Sequence, residues 1–336
     1  MKPSEKTGYL PESVIRRVDA AAQVSWENFG RRVTFYLPGM FHLYGQRGKY
    51  PAVSVTGAEC ELDCKHCRGK LLLPMPPART AEEVVRLAED YKRRGILGIL
   101  LSGGSTKEGY VPLEPIIPAI PRLKEMGFFV SAHTGFTNYR IAKKLRDAGV
   151  DQVIFDVVGD DRTMADILNL PQGTQLVRRN LEIFAELGLR MVPHIIIGLG
   201  GKIVGEYRAL EFLRGYPIEL LVFVVLMPAV AMKHLVDPIP LEDAVEVMVT
   251  GREMFPDTEQ SLGCARPRGA YRYQIEHWAL RAGINRMALW SEAAEETARS
   301  LGLDIRYQLT CCSVPIFTSE KYSSGRESSP SVGGHL

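Results

Sequence analysis

The stretch Cys60-Glu-Leu-Asp-Cys64-Lys-His-Cys67 places three thiols within eight residues, directly after an apolar run that begins at Val53. A cubane iron–sulfur cluster is usually held by four cysteine thiolates. Three thiols on one loop therefore predict a cluster in which one iron stays open. An open coordination position is typical of catalytic rather than structural metal sites, so the stretch predicts a reactive centre that binds a small molecule.

Two other uses of these thiols remain open. A structural zinc site needs a fourth ligand, and the local candidate, His66, is poorly placed between Cys64 and Cys67 for simultaneous ligation. A disulfide would leave one thiol of the loop unpaired, and clustered cysteines without a secretory signal favour metal or redox chemistry. The spacing favours the open cluster. A metal-binding scaffold without catalysis is the non-enzyme alternative.

Composition limits the class of protein. The chain has 336 residues, enough for one large domain or two ordinary ones, and 46% of them are hydrophobic. With 41 basic and 39 acidic residues the formal charge is +2, which favours neither nucleic acid nor a membrane surface as a partner. Because no signal peptide or membrane-spanning stretch is recognisable, we expect a protein of the reducing cytoplasm.

From Pro51 onward, short β-branched runs alternate with amphipathic helical stretches. The expected strands are Val53–Val55, Ile96–Leu101, Phe128–Ser131, Gln152–Asp156, Met191–Ile197, Leu220–Leu226, Thr258–Leu262 and Asn285–Leu289. The expected helices span residues 81–94, 113–126, 137–148, 174–187, 203–215, 241–254, 270–282 and 291–301. Eight strand–helix repeats predict an α/β fold with a parallel (β/α)8 barrel over residues 51–301.

Two flanking segments complete the chain. Residues 1–50 form an N-terminal extension, with a helix predicted over residues 11–28 and a strand over Val33–Leu37. Residues 302–317 form a C-terminal segment that contains two adjacent cysteines. The remaining residues, 318–336, are rich in Ser and Gly, which predicts a flexible tail.

In a (β/α)8 barrel, chemistry takes place at the C-terminal ends of the strands. The cysteine loop follows the first strand, polar or small residues stand at the ends of the next three, and the fifth carries a histidine. These are Ser102, Gly103 and Gly104 on the second strand, His133 on the third, Asp156 on the fourth and His194 on the fifth. Glycines allow close backbone approach to a ligand, although a simple turn or a structural histidine remains the alternative at each position.

Taken together, these motifs resemble the radical S-adenosylmethionine (SAM) superfamily over roughly residues 50–300. Its signature is C-x3-C-x-aromatic-C after a first barrel strand, and His66 stands at the aromatic position. The resemblance implies a 4Fe-4S cluster that binds SAM and cleaves it reductively to a 5′-deoxyadenosyl radical. That radical abstracts hydrogen from an unactivated carbon. An electron donor of the ferredoxin or flavodoxin type is implied as a partner.

The resemblance also implies roles for individual residues. Cys60, Cys64 and Cys67 would ligate the cluster, and the Gly-Gly motif would hold the amino group of SAM. The other implied cofactor contacts are His66 and Ser102, Asp156 at the ribose, and Gly198, Glu206 and Met227 near the adenine. His133 and His194 are the candidates for contact with the methionyl carboxylate or the substrate, and hence for catalysis.

A second set of cysteines lies near the end of the chain. Cys264 follows the seventh strand, and Cys311 and Cys312 are adjacent in the C-terminal segment. They are either unrelated buried thiols or the ligands of an auxiliary 4Fe-4S cluster. In the second case Ser313 or Arg266 is the candidate non-cysteine ligand, and one cysteine of the adjacent pair suffices. Such a cluster would donate sulfide to a carbon radical.

Within the superfamily the chain resembles the biotin-synthase-like branch, and most of all the two-component, archaeal-type lipoyl synthases. The segments that carry this resemblance are 35–40, 49–57, 67–71, 102–104 and 263–269. It implies sulfur insertion into the octanoyl-lysine of a carrier protein, together with a sister radical SAM protein. The alternatives are a single-cluster carbon-skeleton mutase and a biotin-synthase-like enzyme of small-molecule cofactor biosynthesis.

Overall fold

A computed structural model describes residues 8–43, 45–227 and 239–315 of the chain. The tail expected over 318–336, and residues 316–317 of the C-terminal segment, lie outside this described part. So do residues 1–7 of the N-terminal extension.

The described strands form one parallel ten-stranded sheet, which curls into a half-barrel, and a separate two-stranded hairpin. Strands of the large sheet are β1 (Arg32–Tyr36), β4 (Ala52–Ser54), β5 (Gly98–Ser102), β6 (Phe129–His133), β7 (Gln152–Asp156), β8 (Met191–Ile197), β9 (Leu221–Val225), β10 (Gln260–Leu262), β11 (Arg286–Ala288) and β12 (Asp304–Gln308). The hairpin pairs β2 (His42–Leu43) with β3 (Gln46–Arg47). The eight strands expected from the sequence are β4 to β11, in consecutive order, so the α/β prediction is confirmed.

The two flanking segments extend the same sheet. Strand β1 lies between β11 and β12 and pairs in parallel with both, with Thr34 opposite Arg286 on one side and Arg306 on the other. The last four residues of β1 are buried, as is typical of a strand covered on both faces. Strands β4 and β12 are the two edges of the sheet, so the N-terminal extension and the C-terminal segment together build one flank of the half-barrel.

Helices cover the outer face of the sheet. They are α1 (Glu12–Phe29), α2 (Ala81–Arg93), α3 (Ile120–Glu125), α4 (Tyr139–Asp147), α5 (Asp161–Asp166), α6 (Gln175–Glu186), α7 (Glu206–Leu213), α8 (Leu241–Met254), α9 (Ala270–Arg281) and α10 (Glu292–Ser300). Thr80 and Glu83 form the expected capping box of α2. None of the helices in the described ranges is long and apolar enough to cross a membrane.

Two helical stretches differ from the expectation. The single helix expected over 113–126 is a 3-10 helix, Glu114–Ala119, followed by the short α3. Pro115, Pro118 and Pro121 explain the change, because each lacks the backbone N–H of an α-helical hydrogen bond. Helix α5 was not predicted, and it forms because Asp160 caps it by accepting a hydrogen bond from the Thr163 N–H, at 2.7 Å.

The sheet separates a large outer core from a small inner one. On β8, Met191, Ile195 and Ile197 pack against the helices, whereas Val192 on the other face belongs to the inner cluster. The members of that inner cluster are Tyr36, Ile154, Val192, Leu220, Val222, Ala288 and Cys312, with Leu100, Val224 and Cys311 packed against them. The concave face of the half-barrel, called the lumen below, therefore receives the C-terminal cysteines.

Candidate active site

The first cysteine loop is tied to the neighbouring strand ends by backbone hydrogen bonds. The N–H groups of Glu61 and Leu62 both donate to the Ser105 carbonyl, at 3.0 and 3.2 Å. On the other side the Asn169 side-chain amide donates to the Leu62 carbonyl at 2.8 Å. The loop is thus fixed between the ends of β5 and α5, at the C-terminal mouth of the half-barrel.

The three thiols of this loop lie close enough to influence one another. Burial, followed by the nearby Cys67 and Cys60 thiolates, raises the pKa of Cys64 to about 12. Burial is also the main cause that raises the pKa of Cys67. All three are free thiols. Each would lose its proton on binding iron, because the thiolate is the ligand.

The glycines after β5 make the close backbone approach that the sequence predicted. A Cβ at Gly104 would lie 2.0 Å from the Glu59 carbonyl oxygen and 2.7 Å from the Cys60 Cα. The Gly104 N–H donates to the Thr56 hydroxyl at 2.8 Å. Gly104 therefore packs directly against the cysteine loop. Contact of Gly103, Gly104 and Ser102 with SAM stays a prediction.

Three histidines surround the carboxylate of Asp156. His133 Nε2 lies 3.9 Å from Asp156 Oδ2, and His194 stands opposite Asp156 in the β7–β8 register. Burial lowers the pKa of His194 to about 4, and the Asp156 carboxylate opposes that shift. Burial likewise lowers the pKa of His66, again against Asp156. The imidazoles of His194 and His66 are therefore neutral at physiological pH, and both lie near the Asp156 carboxylate.

The tautomer of His194 follows from its backbone partner. Its Nδ1 lies 3.2 Å from the Val192 carbonyl oxygen, which can only accept, so Nδ1 carries the proton. The Nε2 atom is then left with a lone pair. Asp156 and His194 thus offer acceptor atoms, which suits ribose hydroxyls or a polar substrate group.

Glu206 holds the loop between β8 and α7. Its buried carboxylate accepts hydrogen bonds from the N–H groups of Gly198, Val204 and Gly205, at 2.7, 2.9 and 3.0 Å. The sequence placed Glu206 near the adenine, and the structure shows that its oxygens organise the backbone of the loop. Any effect on a nucleotide would act through that backbone.

A small cleft opens beside this loop. Its walls come from the ends of β7 and β8 and from the loops that follow them, including Val158, Asp160, Thr163, Leu199, Gly200 and Glu206. Gly159 and Gly205 let the two loops touch, since a Cβ at Gly159 would lie 2.1 Å from the Gly205 carbonyl oxygen. Met227 is half-buried after β9, and the next residues, 228–238, lie outside the described part of the chain.

The second set of cysteines meets at the lumen. Cys312 is buried in the inner cluster, and Cys311 is partly buried beside it. The Ser313 hydroxyl donates to the Cys311 sulfur at 3.1 Å. Cys264 follows β10 and is accessible to solvent, yet enough protein surrounds it to raise the pKa of its thiol to about 11, with Cys311 contributing. Cys264 and Cys311, which are distant in the sequence, therefore lie near enough for one thiolate to influence the other.

The geometry corrects one ligand candidate. Arg266 is buried, and its guanidinium donates to Glu276 at 3.1 Å, to the Gly263 carbonyl at 2.6 Å and to the Leu289 carbonyl at 2.7 Å. A guanidinium with these partners is fully used in binding its neighbours. Ser313, beside Cys311, remains the candidate non-cysteine ligand.

Comparison with known proteins gives the family of this site. Residues 54–213 match the radical SAM superfamily, and they contain the cysteine loop, the Gly-Gly motif and the loop of Glu206. The chain carries a radical SAM domain. That family implies a 4Fe-4S cluster and SAM as cofactors of residues 54–213. Radical SAM enzymes generally need an electron donor.

Two curated relatives match at low identity. The chain is 23% identical to the biotin synthase of Thermodesulfovibrio yellowstonii over 266 residues, which cover 76% of this chain and 81% of that one. It is 24% identical to molybdenum cofactor biosynthesis protein 1 of Drosophila melanogaster over 220 residues, or 64% of this chain and 38% of that one. The chain thus spans well under half of the insect protein.

Two solved structures share the fold. Methylornithine synthase superposes with a TM-score of 0.61 at 16% identity and covers 84% of this chain and 79% of its own. HydG, a hydrogenase maturase, gives a TM-score of 0.61 at 16% identity and covers 89% of this chain and 70% of its own. These likenesses concern the fold alone.

The residues of the first site fit a cluster better than a single ion. In the described part of the chain, no three His, Cys, Asp or Glu side chains are placed to hold one metal ion. A cubane needs no such convergence, because each thiolate binds a different iron. Gly104 also leaves no room for a side chain against Cys60, so the loop is shaped to hold its thiols at the mouth.

Substitution of Gly104 tests that shape. Gly104→Ala will displace the cysteine loop, since its Cβ clashes with backbone atoms that have no freedom to move. We expect the reconstituted protein to lose most of the iron of the first cluster and nearly all formation of 5′-deoxyadenosine. The control is Gly95→Ala, which meets no atom within 4 Å but has a φ of +68°. It will cost about 1 kcal/mol of stability with iron content unchanged.

Substitution of Glu206 tests the loop beside the cleft. Glu206→Gln replaces one accepting oxygen with an amide that opposes a backbone N–H, and a buried unsatisfied donor costs about 1–3 kcal/mol. We expect SAM affinity, measured by calorimetry on the cluster-loaded protein, to fall about tenfold or more. Glu211→Gln, on the exposed face of α7, is the matched control and should leave affinity unchanged. Equal affinities in the two variants would contradict the role of Glu206.

Sequence reasoning missed the residues that line the lumen. Tyr36 and Gln152 each have a buried polar atom, the hydroxyl and Oε1, without a hydrogen-bond partner. Both lie near the C-terminal cysteines, since Tyr36 packs in one cluster with Cys312 and Gln152 binds the Ser313 carbonyl. The alternation of polar residues along β1 and β7 was the sequence signal for these lumen residues. Its meaning depends on the position of the C-terminal segment, which only the structure shows.

Proposed function

We propose that this radical SAM enzyme inserts sulfur into an unactivated carbon, with an auxiliary cluster held by Cys311 and Cys264 as the sulfur source. One observation carries the proposal. The C-terminal segment enters the lumen, so that its thiols approach Cys264 on the concave face of the sheet whose mouth carries Cys60, Cys64 and Cys67.

Bound together at the mouth, a 4Fe-4S cluster and SAM supply a radical that removes hydrogen from the substrate carbon. The chain's own residues arrange the rest. Cys60, Cys64 and Cys67 would hold the cluster, and the Glu206 loop shapes the adjoining cleft. Each sulfur atom that is inserted replaces one hydrogen, which leaves in 5′-deoxyadenosine.

The form of this reaction that we propose is that of a lipoyl synthase component. Its support is the sequence resemblance, together with a partly exposed aliphatic wall of the lumen formed by Leu100 and Val224. Such a wall suits an alkyl chain, because apolar contact stabilises apolar ligands. The substrate is then the octanoyl-lysine of a carrier protein, a sister radical SAM protein acts with this one, and both work in the cytoplasm.

A second candidate is favoured by the match to a biotin synthase over 81% of that relative's length. In this reading the chain is a biotin-synthase-like enzyme or a single-cluster mutase, and its C-terminal thiols are spectators. The middle strands carry His133, Asp156 and His194, without any cysteine, so this reading lacks ligands for a cluster on those strands.

The deciding experiment combines a metal count with a product assay. After anaerobic reconstitution we expect about eight irons per chain, which corresponds to two cubanes. Incubation with an octanoylated carrier peptide, SAM and reductant, with and without a sister protein, is then followed by mass spectrometry. Sulfur on the octanoyl chain supports the lipoyl form. About four irons and no sulfur in any product would overturn sulfur insertion and leave the mutase.

A further inference from the structure

The C-terminal cysteines are held by a turn whose carbonyl groups are all bound. Residues 311–314 form a turn closed by a hydrogen bond from the Val314 N–H to the Cys311 carbonyl at 2.9 Å. The next three carbonyls, those of Cys312, Ser313 and Val314, each accept a hydrogen bond from a side chain of the sheet. This turn, residues 311–314, is called the lumen turn below.

Arg286 of β11 binds two of these carbonyls. Its Nη1 donates to the Cys312 oxygen at 3.2 Å and to the Val314 oxygen at 3.1 Å. The other side of the guanidinium is fixed by Glu259, which accepts from Nε at 2.7 Å and also from Nη2. A planar guanidinium can serve a carboxylate and two carbonyls at once, which a lysine ammonium cannot reproduce.

Gln152 of β7 binds the carbonyl between them. Its Nε2 donates to the Ser313 oxygen at 3.0 Å and to the Ser131 hydroxyl at 2.9 Å. The Ser131 hydroxyl lies 2.6 Å from Tyr50 Oη. Strands β7 and β11 are separated by β8, β9 and β10 in the sheet, so the lumen turn is gripped from two well-separated strands.

This grip determines where the thiols lie. Because Arg286 and Gln152 bind backbone atoms, the side chains of the lumen turn are left free of them. Cys312 packs among Tyr36, Val192 and Val222, and Cys311 is held by Ser313 and stays partly exposed. The hydrogen bonds from Arg286 and Gln152 thus fix the turn that places Cys311 at the lumen.

We propose that Arg286 and Gln152 are positioning residues for the second cluster, holding the lumen turn by its carbonyls so that Cys311 and Cys264 ligate one cubane. This inference rests on the proposed function, which supplies the cluster. Neither residue touches a reacting atom, so their loss acts on cluster assembly and leaves the first cluster intact.

The test compares two buried arginines. Arg286→Gln should reduce iron from about eight to about four per chain, remove the second electron paramagnetic resonance signal and retain 5′-deoxyadenosine formation. Gln152→Leu should act in the same direction. Arg252→Gln is the control, because Arg252 is also buried and also binds two carbonyls, those of Pro256 and Thr258, together with the Asn285 side chain, but no carbonyl of the lumen turn. It should lower the melting temperature with both clusters retained.

The outcomes separate the inference from the proposed function. An Arg286→Gln protein that melts earlier but keeps about eight irons and the wild-type signal would show a purely structural clamp and overturn the inference. A wild-type protein that holds about four irons would overturn the proposed function, and the inference with it. Loss of the second electron paramagnetic resonance signal in Arg286→Lys as well would support the inference, because it would show that the planar guanidinium is needed and not only a positive charge.

Discussion

Replacing Cys64 with alanine will abolish formation of 5′-deoxyadenosine from SAM. Two thiolates cannot hold three irons of a cubane, so the open iron that binds SAM is lost with the cluster. We expect the rate of SAM cleavage to fall at least about 1000-fold, which corresponds to about 4 kcal/mol in the barrier. Iron should fall by about four atoms per chain. The measurement is an anaerobic assay with dithionite as reductant, analysed by chromatography.

Two companion variants exclude a folding effect. Cys64 is 8% exposed and packs in the outer core, so its removal also leaves a small cavity that costs about 1 kcal/mol. Cys64→Ser nearly preserves the volume and should be equally inactive. Cys312→Ala removes an equally buried thiol from the lumen and should retain SAM cleavage. A folded Cys64→Ala protein that still yields 5′-deoxyadenosine would contradict the role of the loop.

Much of the fold could be predicted because its signals are local. A β-branched run, a Gly-terminated helix and a capping box such as that of Thr80 are written in consecutive residues, and strands β4 to β11 lie where these signals place them. The helix expected over 113–126 was wrong in form for a reason equally local, since three prolines occur within seven residues. The prediction gave more weight to the helical spacing of the apolar residues than to these prolines.

The rest depends on contacts between distant parts of the chain. The sequence indicated a strand near Val33, but its place between β11 and β12 depends on residues about 250 and 270 positions away. Gly104 was recognised as a point of close approach, yet its neighbour, Cys60, lies on the preceding loop. Arg266 looked like a ligand because it follows Cys264, and only the fold shows that Glu276 binds it.

Replacing Cys311 with alanine will separate the two chemical steps. If Cys311 ligates the sulfur donor, the variant should lose about four irons and nearly all sulfur insertion, at least about 100-fold, or 2.7 kcal/mol in the barrier. SAM cleavage should continue, because Cys60, Cys64 and Cys67 are untouched. The readouts are product mass, 5′-deoxyadenosine and iron from the same reaction.

The adjacent cysteine is the matched control for this variant. Cys312 is 3% exposed and packs in the inner cluster, whereas Cys311 is partly exposed and accepts the Ser313 hydroxyl. Because burial leaves Cys312 the role of a small apolar side chain, Cys312→Ala should keep both clusters at a cost of about 1 kcal/mol in stability. If sulfur insertion is unchanged in Cys311→Ala, the sulfur donor does not lie at the lumen. That result would favour a single-cluster enzyme. Loss in both variants would mean that the pair ligates together, which requires the lumen turn to open around the cluster.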